Sequence, residues 1–184
     1  MALRPETALL AHQARVGQKV VKAGGTGLLA WHVGAGKSLG SAVVHHALKD
    51  AGMGDRSLIV MPAKLRRNFA ADLEKFTDDK HVIYGNREEQ DAGLYPGVDD
   101  EIQPADHHIV SYDLFRQDPH KWIERIKPTN LILDEVHRLK DEHGVIVPTR
   151  LNPVFQARDL YDAATRKLNE LAKIFQEIET GPTK

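Results

Sequence analysis

The sequence contains no cysteine, and this absence excludes disulfide bonds and every metal site built on thiolates. It also contains no apolar run long enough to span a membrane, and no charged-then-apolar signal pattern at its N-terminus. We therefore expect a cytoplasmic protein without a membrane partner. An excess of positive charge is missing too, because 25 basic residues are balanced by 26 acidic ones. Such a chain can bind nucleic acid only through a local basic patch.

The rest of the composition is typical of a soluble globular domain. The 184 residues are 41% hydrophobic and 28% charged, which is enough for one domain with a core and an appended element. Ten histidines are a high number, and two pairs stand out, His45-His46 and His107-His108. We interpret them as scattered surface and core imidazoles, because no metal-ligand spacing accompanies them.

Short apolar runs recur along the chain with helical patterns between them. The runs, each interpreted as a strand, cover residues 26–31, 57–62, 81–84, 107–112 and 130–134. They are continuous rather than alternating, which is typical of strands covered on both faces. Helices are predicted over 38–50 and after Pro62, where Leu65, Phe69, Leu73 and Phe76 recur at helical spacing. The alternation predicts an α/β domain with a mostly parallel sheet.

Three other stretches have a different character. Residues 85–106 are acidic and rich in Gly and Pro, which predicts a surface excursion, and 142–153 are irregular with a short run that could add a strand. Over 155–178 apolar residues alternate at spacings of four and three, which predicts one long helix. That helix either packs on its own domain or serves as a partner-binding or self-associating surface. We expect one domain over 1–150 and a helical segment over 151–184.

The segment 28–42 carries the strongest single motif. Gly34, Ala35, Gly36, Lys37 and Ser38 follow a predicted strand and open a predicted helix, with Leu39 next in the helix. This is the context of a phosphate-binding loop, in which backbone amides and a helix N-terminus face the phosphates. The lysine would reach the β- and γ-phosphates, and the serine hydroxyl would hold Mg²⁺. The longer form of the motif has a glycine where this chain has Trp31.

The sequence NLILDEVHRLK at 130–140 ends a buried strand in two carboxylates, Asp134 and Glu135. In a parallel sheet this strand and the phosphate loop emerge at the same carboxyl edge. We expect Asp134 to bind Mg²⁺ and Glu135 to polarise a water for attack on the γ-phosphate. The alternative is a strand running into a helix whose first turn carries acids, which the helix dipole favours.

These motifs resemble those of superfamily 2 helicases and translocases, most closely the Swi/Snf-like DNA translocases. DEVH followed by RLK resembles the DEAD/DEAH motif, LLAHQ at 9–13 the upstream glutamine motif, and LLAWHVGAGKS motif I. The stretches 57–76 and 107–116 resemble motifs Ia and Ib. The resemblance implies a three-layer, RecA-like P-loop lobe that binds ATP and Mg²⁺ and contacts DNA, which we expect to be double-stranded.

The resemblance also implies roles for single residues. Gln13 would read the adenine, Lys37 and Glu135 would be catalytic, Ser38 and Asp134 would hold Mg²⁺, and His137 would link the ATP state to the motor. The residues implied to grip a nucleic-acid backbone are Pro62, Ala63, Lys64, Arg67, Ser111 and Tyr112. A basic cluster formed by Arg56, Lys64, Arg66 and Arg67 agrees with such an edge, although Arg66 and Arg67 could equally be a solvated helix face.

Two family features are not found. The third family motif has no good counterpart after residue 140, and no second RecA-like lobe follows. In related phosphoryl-transfer enzymes the arginines of a partner element contribute roughly 10³–10⁵ in rate. We therefore expect weak hydrolysis unless a second lobe completes the site, in cis or in trans. Two other functions stay open: a different P-loop ATPase or nucleotide kinase, and a nucleotide-gated interaction module that uses the 155–178 helix.

Overall fold

The protein is described by a computed structural model that covers residues 3–25, 27, 29, 31–32 and 34–135. Within these ranges, helices and strands alternate along the chain. The helices are α1 (Ala11–Lys22), α2 (Lys37–Asp50), α3 (Arg66–Phe76), α4 (Arg87–Asp91), α5 (Tyr112–Phe115) and α6 (Pro119–Ile126), with a 3₁₀ turn at Ala63–Leu65. The strands are β1 (Ser57–Met61), β2 (His81–Ile83), β3 (His107–Ser111) and β4 (Asn130–Leu133).

The four strands form one parallel sheet in the order β2-β3-β1-β4. Ser57 at the start of β1 is paired with both His107 of β3 and Asn130 of β4, so the strands begin in register. Their carboxyl ends consequently lie at one edge. The α/β class, the parallel sheet and four of the five predicted strands are confirmed.

Helices cover both faces of the sheet, and this explains the continuous apolar runs. All five residues of β1 and all five of β3 are buried. On one face Leu58 and Val60 pack with Trp122 of α6, and on the other Ile59 and Met61 pack with Phe69 of α3. The side chains alternate between faces, and each face buries its own cluster. The predicted three-layer arrangement is therefore confirmed.

The strand predicted over 26–31 is not found in the described residues. Gly27, Leu29 and Trp31 carry no strand assignment, and residues 26, 28 and 30 lie outside the described ranges. β4 is thus at an edge of the described sheet, and its four residues are only half-buried. The predictions for 142–153, for the helix over 155–178 and for the 151–184 segment also fall outside the described residues.

The predicted surface excursion, residues 85–106, is fixed to the domain by a few polar contacts. A capping box opens α4, in which Asn86 and Glu89 each bond the other's backbone amide at 2.9 Å. The guanidinium of Arg66 binds Glu89 at 2.7 Å, and Arg125 donates to three backbone carbonyls of the excursion. In the described part of the chain, no helix is long and apolar enough to cross a membrane.

Trp31, the departure from the longer phosphate-loop motif, packs against the start of α2. Its indole meets the ring of His12 edge to face, with centroids 4.6 Å apart. A Cβ atom on Gly40 would lie 2.7 Å from the Trp31 Cη2 atom and 3.1 Å from Leu29 Cδ2. Gly40 therefore leaves room for the indole, and the two residues are matched in size.

We predict that Gly40→Ala lowers the free energy of unfolding by about 1–3 kcal/mol, the usual range for overpacking. Inside a helix the same change ordinarily stabilises by about 0.5–1 kcal/mol, because alanine restricts the unfolded backbone. Urea titrations followed by circular dichroism measure the difference.

The matched background is Trp31→Ala, which removes the indole. In that background Gly40→Ala should be neutral or stabilising, so that a double-mutant cycle shows a coupling between the two positions. Stabilisation by Gly40→Ala in the otherwise unchanged protein would contradict the packing.

Candidate nucleotide site

The phosphate loop leads directly into α2. Gly34 and Gly36 have φ angles of 82° and 75°, in the left-handed region that favours glycine. Helix α2 begins at Lys37 without a side-chain cap and without an acidic residue in its first turn. Its first backbone amides therefore lack an intrahelical acceptor and add partial positive charge. Such a helix start can bind an anion such as phosphate.

Gln13 braces this loop from α1. Its side chain is 4% exposed, its Nε2 donates to the Ala35 carbonyl at 3.1 Å, and its Oε1 accepts from the Leu10 amide at 2.9 Å. A Cβ atom on Gly36 would collide with the Gln13 amide and displace it, and the positive φ at this position also favours glycine. The ring of His12 lies 3.1 Å from the same Ala35 carbonyl, a contact that the sequence did not indicate.

The acidic pair lies beside this loop. Strand β4 ends at Leu133, and the amide of Asp134 continues its pairing by donating to the Val60 carbonyl at 2.9 Å. The next residue, Glu135, has a φ of 54°, a conformation that few non-glycine residues adopt and that is concentrated at functional sites.

A lysine–carboxylate contact joins the two motifs. Lys37 Nζ lies 3.9 Å from Glu135 Oε1, and the two side chains are 33% and 28% exposed. The two predicted catalytic residues are thus together and within reach of a ligand from solvent. Ser38 is half-buried in the first turn of α2, where Leu39 is buried.

Tyr112 supports the acidic pair from β3's carboxyl end. Its hydroxyl donates to the Asp134 carbonyl at 2.7 Å, and the side chain is buried. Burial, together with Asp134 and Glu135, raises the pKa of Tyr112, so that it stays a protonated donor at neutral pH. Ser111, also buried, accepts from the Leu114 amide at 3.3 Å and caps α5. The sequence does not indicate the hydrogen bond between Tyr112 and Asp134, which joins the two motifs.

The residues after β1 that are predicted to contact nucleic acid differ in how far their side chains are exposed and in whether they bond other residues. Ala63 and Lys64 are exposed and Pro62 is buried at the end of the strand. Arg67 is exposed, but its Nε donates to the Tyr95 hydroxyl at 2.6 Å and its guanidinium lies 5.6 Å from that ring's centroid. In contrast Arg66 is 5% exposed and binds Glu89, so both interpretations, a basic cluster that contacts nucleic acid and a solvated helix face, are wrong for this residue.

The donor set fits a magnesium-bound triphosphate. A lysine, a helix N-terminus and a flexible glycine loop suit phosphate oxygens, while a hydroxyl and carboxylates are the oxygen ligands that Mg²⁺ prefers. Of the residues predicted for this site, His137 lies outside the described residues. The structure describes all the other residues predicted for this site, which are Gln13, Gly34, Ala35, Gly36, Lys37, Ser38, Leu39, Asp134 and Glu135.

Two curated proteins are similar to this chain in sequence. Protein CHROMATIN REMODELING 25 of Arabidopsis thaliana is 29% identical over 164 residues, 84% of this chain and 18% of that protein. The uncharacterized ATP-dependent helicase YqhH of Bacillus subtilis is 31% identical over 144 residues, 74% of this chain and 23% of that protein. No protein-family model matches the sequence.

A solved structure shares the fold. The Sulfolobus solfataricus SWI2/SNF2 ATPase core in complex with dsDNA superposes with a TM-score of 0.62 at 17% identity, covering 84% of this chain and 32% of that one. The chain spans only about a fifth of the length of the curated relatives it matches. The chain is thus similar in sequence to a chromatin-remodelling protein and to an ATP-dependent helicase, and its fold is that of the SWI2/SNF2 ATPase core.

Proposed function

We propose that the chain is an ATP-binding lobe of a Swi/Snf-like DNA helicase or translocase. The observation that carries this proposal is the 3.9 Å contact between Lys37 and Glu135 at the carboxyl edge of the parallel sheet. The two residues come from motifs far apart in sequence, and each has a separate part in phosphoryl transfer. The relation to ATP-dependent helicases supports the same function.

The proposed site divides the work among a few residues. Lys37 and the first amides of α2 neutralise the phosphate oxygens, while the Ser38 hydroxyl and the Asp134 carboxylate hold Mg²⁺. The metal, when bound, draws charge from the phosphates and orients them. Glu135 accepts a proton from the attacking water as general base. Gln13 reads the adenine by exchanging one of its present hydrogen bonds, to Ala35 or to Leu10, for a bond to the base.

The nucleic-acid side of the proposal rests on the same sheet edge. In the turn after β1, Ala63 and Lys64 are exposed, and Arg67 is exposed one helical turn further on. The buried residues at the carboxyl ends of β1 and β3 that form this edge are Pro62, Ser111 and Tyr112. The S. solfataricus core is described in complex with dsDNA, and we propose duplex DNA as the partner of this edge. Movement on DNA further requires a second RecA-like lobe, in cis or in trans, to supply transition-state arginines.

We predict that Lys37→Ala lowers the affinity for a fluorescent ATP analogue by about 10–100-fold, because a charge-assisted contact contributes about 1.5–3 kcal/mol. Glu135→Gln should leave that affinity within about threefold of the parent, since a general base acts after binding. Single-turnover hydrolysis by Glu135→Gln should fall by about 10²-fold or more.

Lys49→Ala is the matched control, because Lys49 is on the same helix at the end remote from the loop, where it pairs with Asp106 at 3.0 Å. It should bind the analogue like the parent chain. Unchanged affinity in Lys37→Ala, or lost affinity in Lys49→Ala, would contradict the proposed site.

We predict that Lys64→Ala weakens binding to duplex DNA and reduces the slope of log affinity against log salt concentration by about one, as expected for one lost phosphate contact. Lys75→Ala, at the far end of α3 and stacked 5.0 Å from the Phe76 ring, is the control. Fluorescence anisotropy at several salt concentrations measures both. Equal slopes for Lys64→Ala and the parent would remove this edge from the DNA-binding surface.

A further inference from the structure

A second polar cluster lies at the opposite, amino edge of the sheet. It consists of His45 and His46 on α2, Asp79 in the turn before β2, and His107 at the start of β3, and we call it the histidine cluster. The three imidazoles are at most 2% exposed, and the Asp79 side chain is 4% exposed. Four ionisable side chains buried together need a reason, because burial penalises charge. Nothing in the proposed nucleotide site uses them.

The cluster is built around one carboxylate oxygen. Asp79 Oδ2 lies 2.9 Å from His46 Nε2 and 2.9 Å from His107 Nε2. The ring of His45 lies with its centroid 4.4 Å from that of His107 and 5.3 Å from that of His46. Its Nδ1 is 2.8 Å from the Ser57 hydroxyl, while its Nε2 is buried without a hydrogen-bond partner among the described residues.

Burial and neighbouring groups shift the pKa values of two members of the cluster. Burial, with a further contribution from His107, lowers the pKa of His45 to about 4, so this ring is neutral at pH 7. Burial alone would raise the pKa of Asp79, but the hydrogen bond from His107 and the electrostatic effect of the two nearby imidazoles together outweigh burial and hold that pKa below its usual range. A neutral imidazole and an ionised carboxylate are the forms that bind divalent ions.

We propose that His45, His46 and Asp79 form a binding site for a divalent transition metal of the zinc type. One ligand atom from each of the three residues lies within 4.8 Å of the others, close enough to converge on one ion. Two imidazole nitrogens and a carboxylate oxygen suit Zn²⁺, whereas Mg²⁺ and Ca²⁺ prefer oxygen ligands alone. The site is therefore chemically distinct from the proposed Mg²⁺ position at Ser38 and Asp134.

Supporting contacts orient two of the three ligands. With the Nδ1 proton of His45 donated to Ser57, the lone pair of its Nε2 is free to bind a metal, an arrangement typical of ligating histidines. Similarly, a hydrogen bond donated by His107 Nε2 to Asp79 Oδ2, at 2.9 Å, orients the carboxylate. An open cavity of about 440 Å³, lined by Thr77, Asp79 and His81 among others, borders the cluster at Asp79.

The site would tie α2 to the turn before β2 and, through Ser57 and His107, to the amino ends of β1 and β3. Lys37, in the first turn of this helix, belongs to the nucleotide site, and His45 is eight residues further, about 12 Å along the axis. The proposed metal therefore acts at the opposite end of the element that carries the phosphate loop. Its expected effect is on the stability of the fold, and it does not depend on ATP binding.

The test is a metal titration of the full chain after chelator treatment, without nucleotide. Calorimetry with Zn²⁺ and the visible spectrum of Co²⁺ should both show one equivalent bound. Asp79→Asn and His45→Gln should each weaken binding by at least about 10-fold. His120→Gln, which changes a half-buried histidine on α6 away from the cluster, should bind like the parent.

A stability readout completes the experiment. Zn²⁺ should raise the urea midpoint of the parent and of His120→Gln but not of Asp79→Asn, because only the native cluster binds it. If Asp79→Asn does not fold, Ser57→Ala takes its place, and its affinity should fall by about 10-fold while the fold is kept. No binding at one equivalent, or equal binding by all variants, would overturn the metal site and leave a hydrogen-bonded cluster.

Discussion

Parallel pairing of β1 with β3 and β4 is the constraint on which the rest of the molecule depends. Because the three strands start in register at Ser57, His107 and Asn130, their carboxyl ends meet at one edge. At that edge Tyr112 contacts Asp134, and Glu135 lies beside Lys37. The same register brings the amino ends together, so that the polar residues which begin the strands face one another under α2. Both proposed sites thus follow from one pairing.

The sequence could predict those parts of the structure that depend on local pattern. Continuous apolar runs are typical of strands covered on both faces, and the β1 and β3 residues are indeed buried throughout. The phosphate loop and the acidic pair could be found because backbone geometry and carboxyl-edge topology restrict which residues can follow a strand. The strand predicted over 26–31 was the exception, and in that segment Trp31 packs against Gly40.

Features that depend on pairs distant in sequence could not be predicted. The sequence indicates only scattered imidazoles for the histidine pairs, because His46 and Asp79 have no characteristic spacing and meet only once α2 lies over the sheet. The sequence groups Arg66 with the neighbouring basic residues. In the structure Arg66 is buried and binds Glu89, which lies in the 85–106 excursion. Charge and residue type are visible in a sequence, whereas the partner that satisfies a buried charge is a property of the fold.

Hydrogen–deuterium exchange with and without Mg²⁺–ATP tests the central claim, that one nucleotide site joins the loop at 34–39 to the acidic pair at 134–135. Backbone amides in both segments should become protected together, because the nucleotide would bridge them, while peptides that contain Lys75 at the far end of α3 should stay unchanged. Protection in only one of the two segments, or in neither at saturating nucleotide, would contradict a shared site at the carboxyl edge of the sheet.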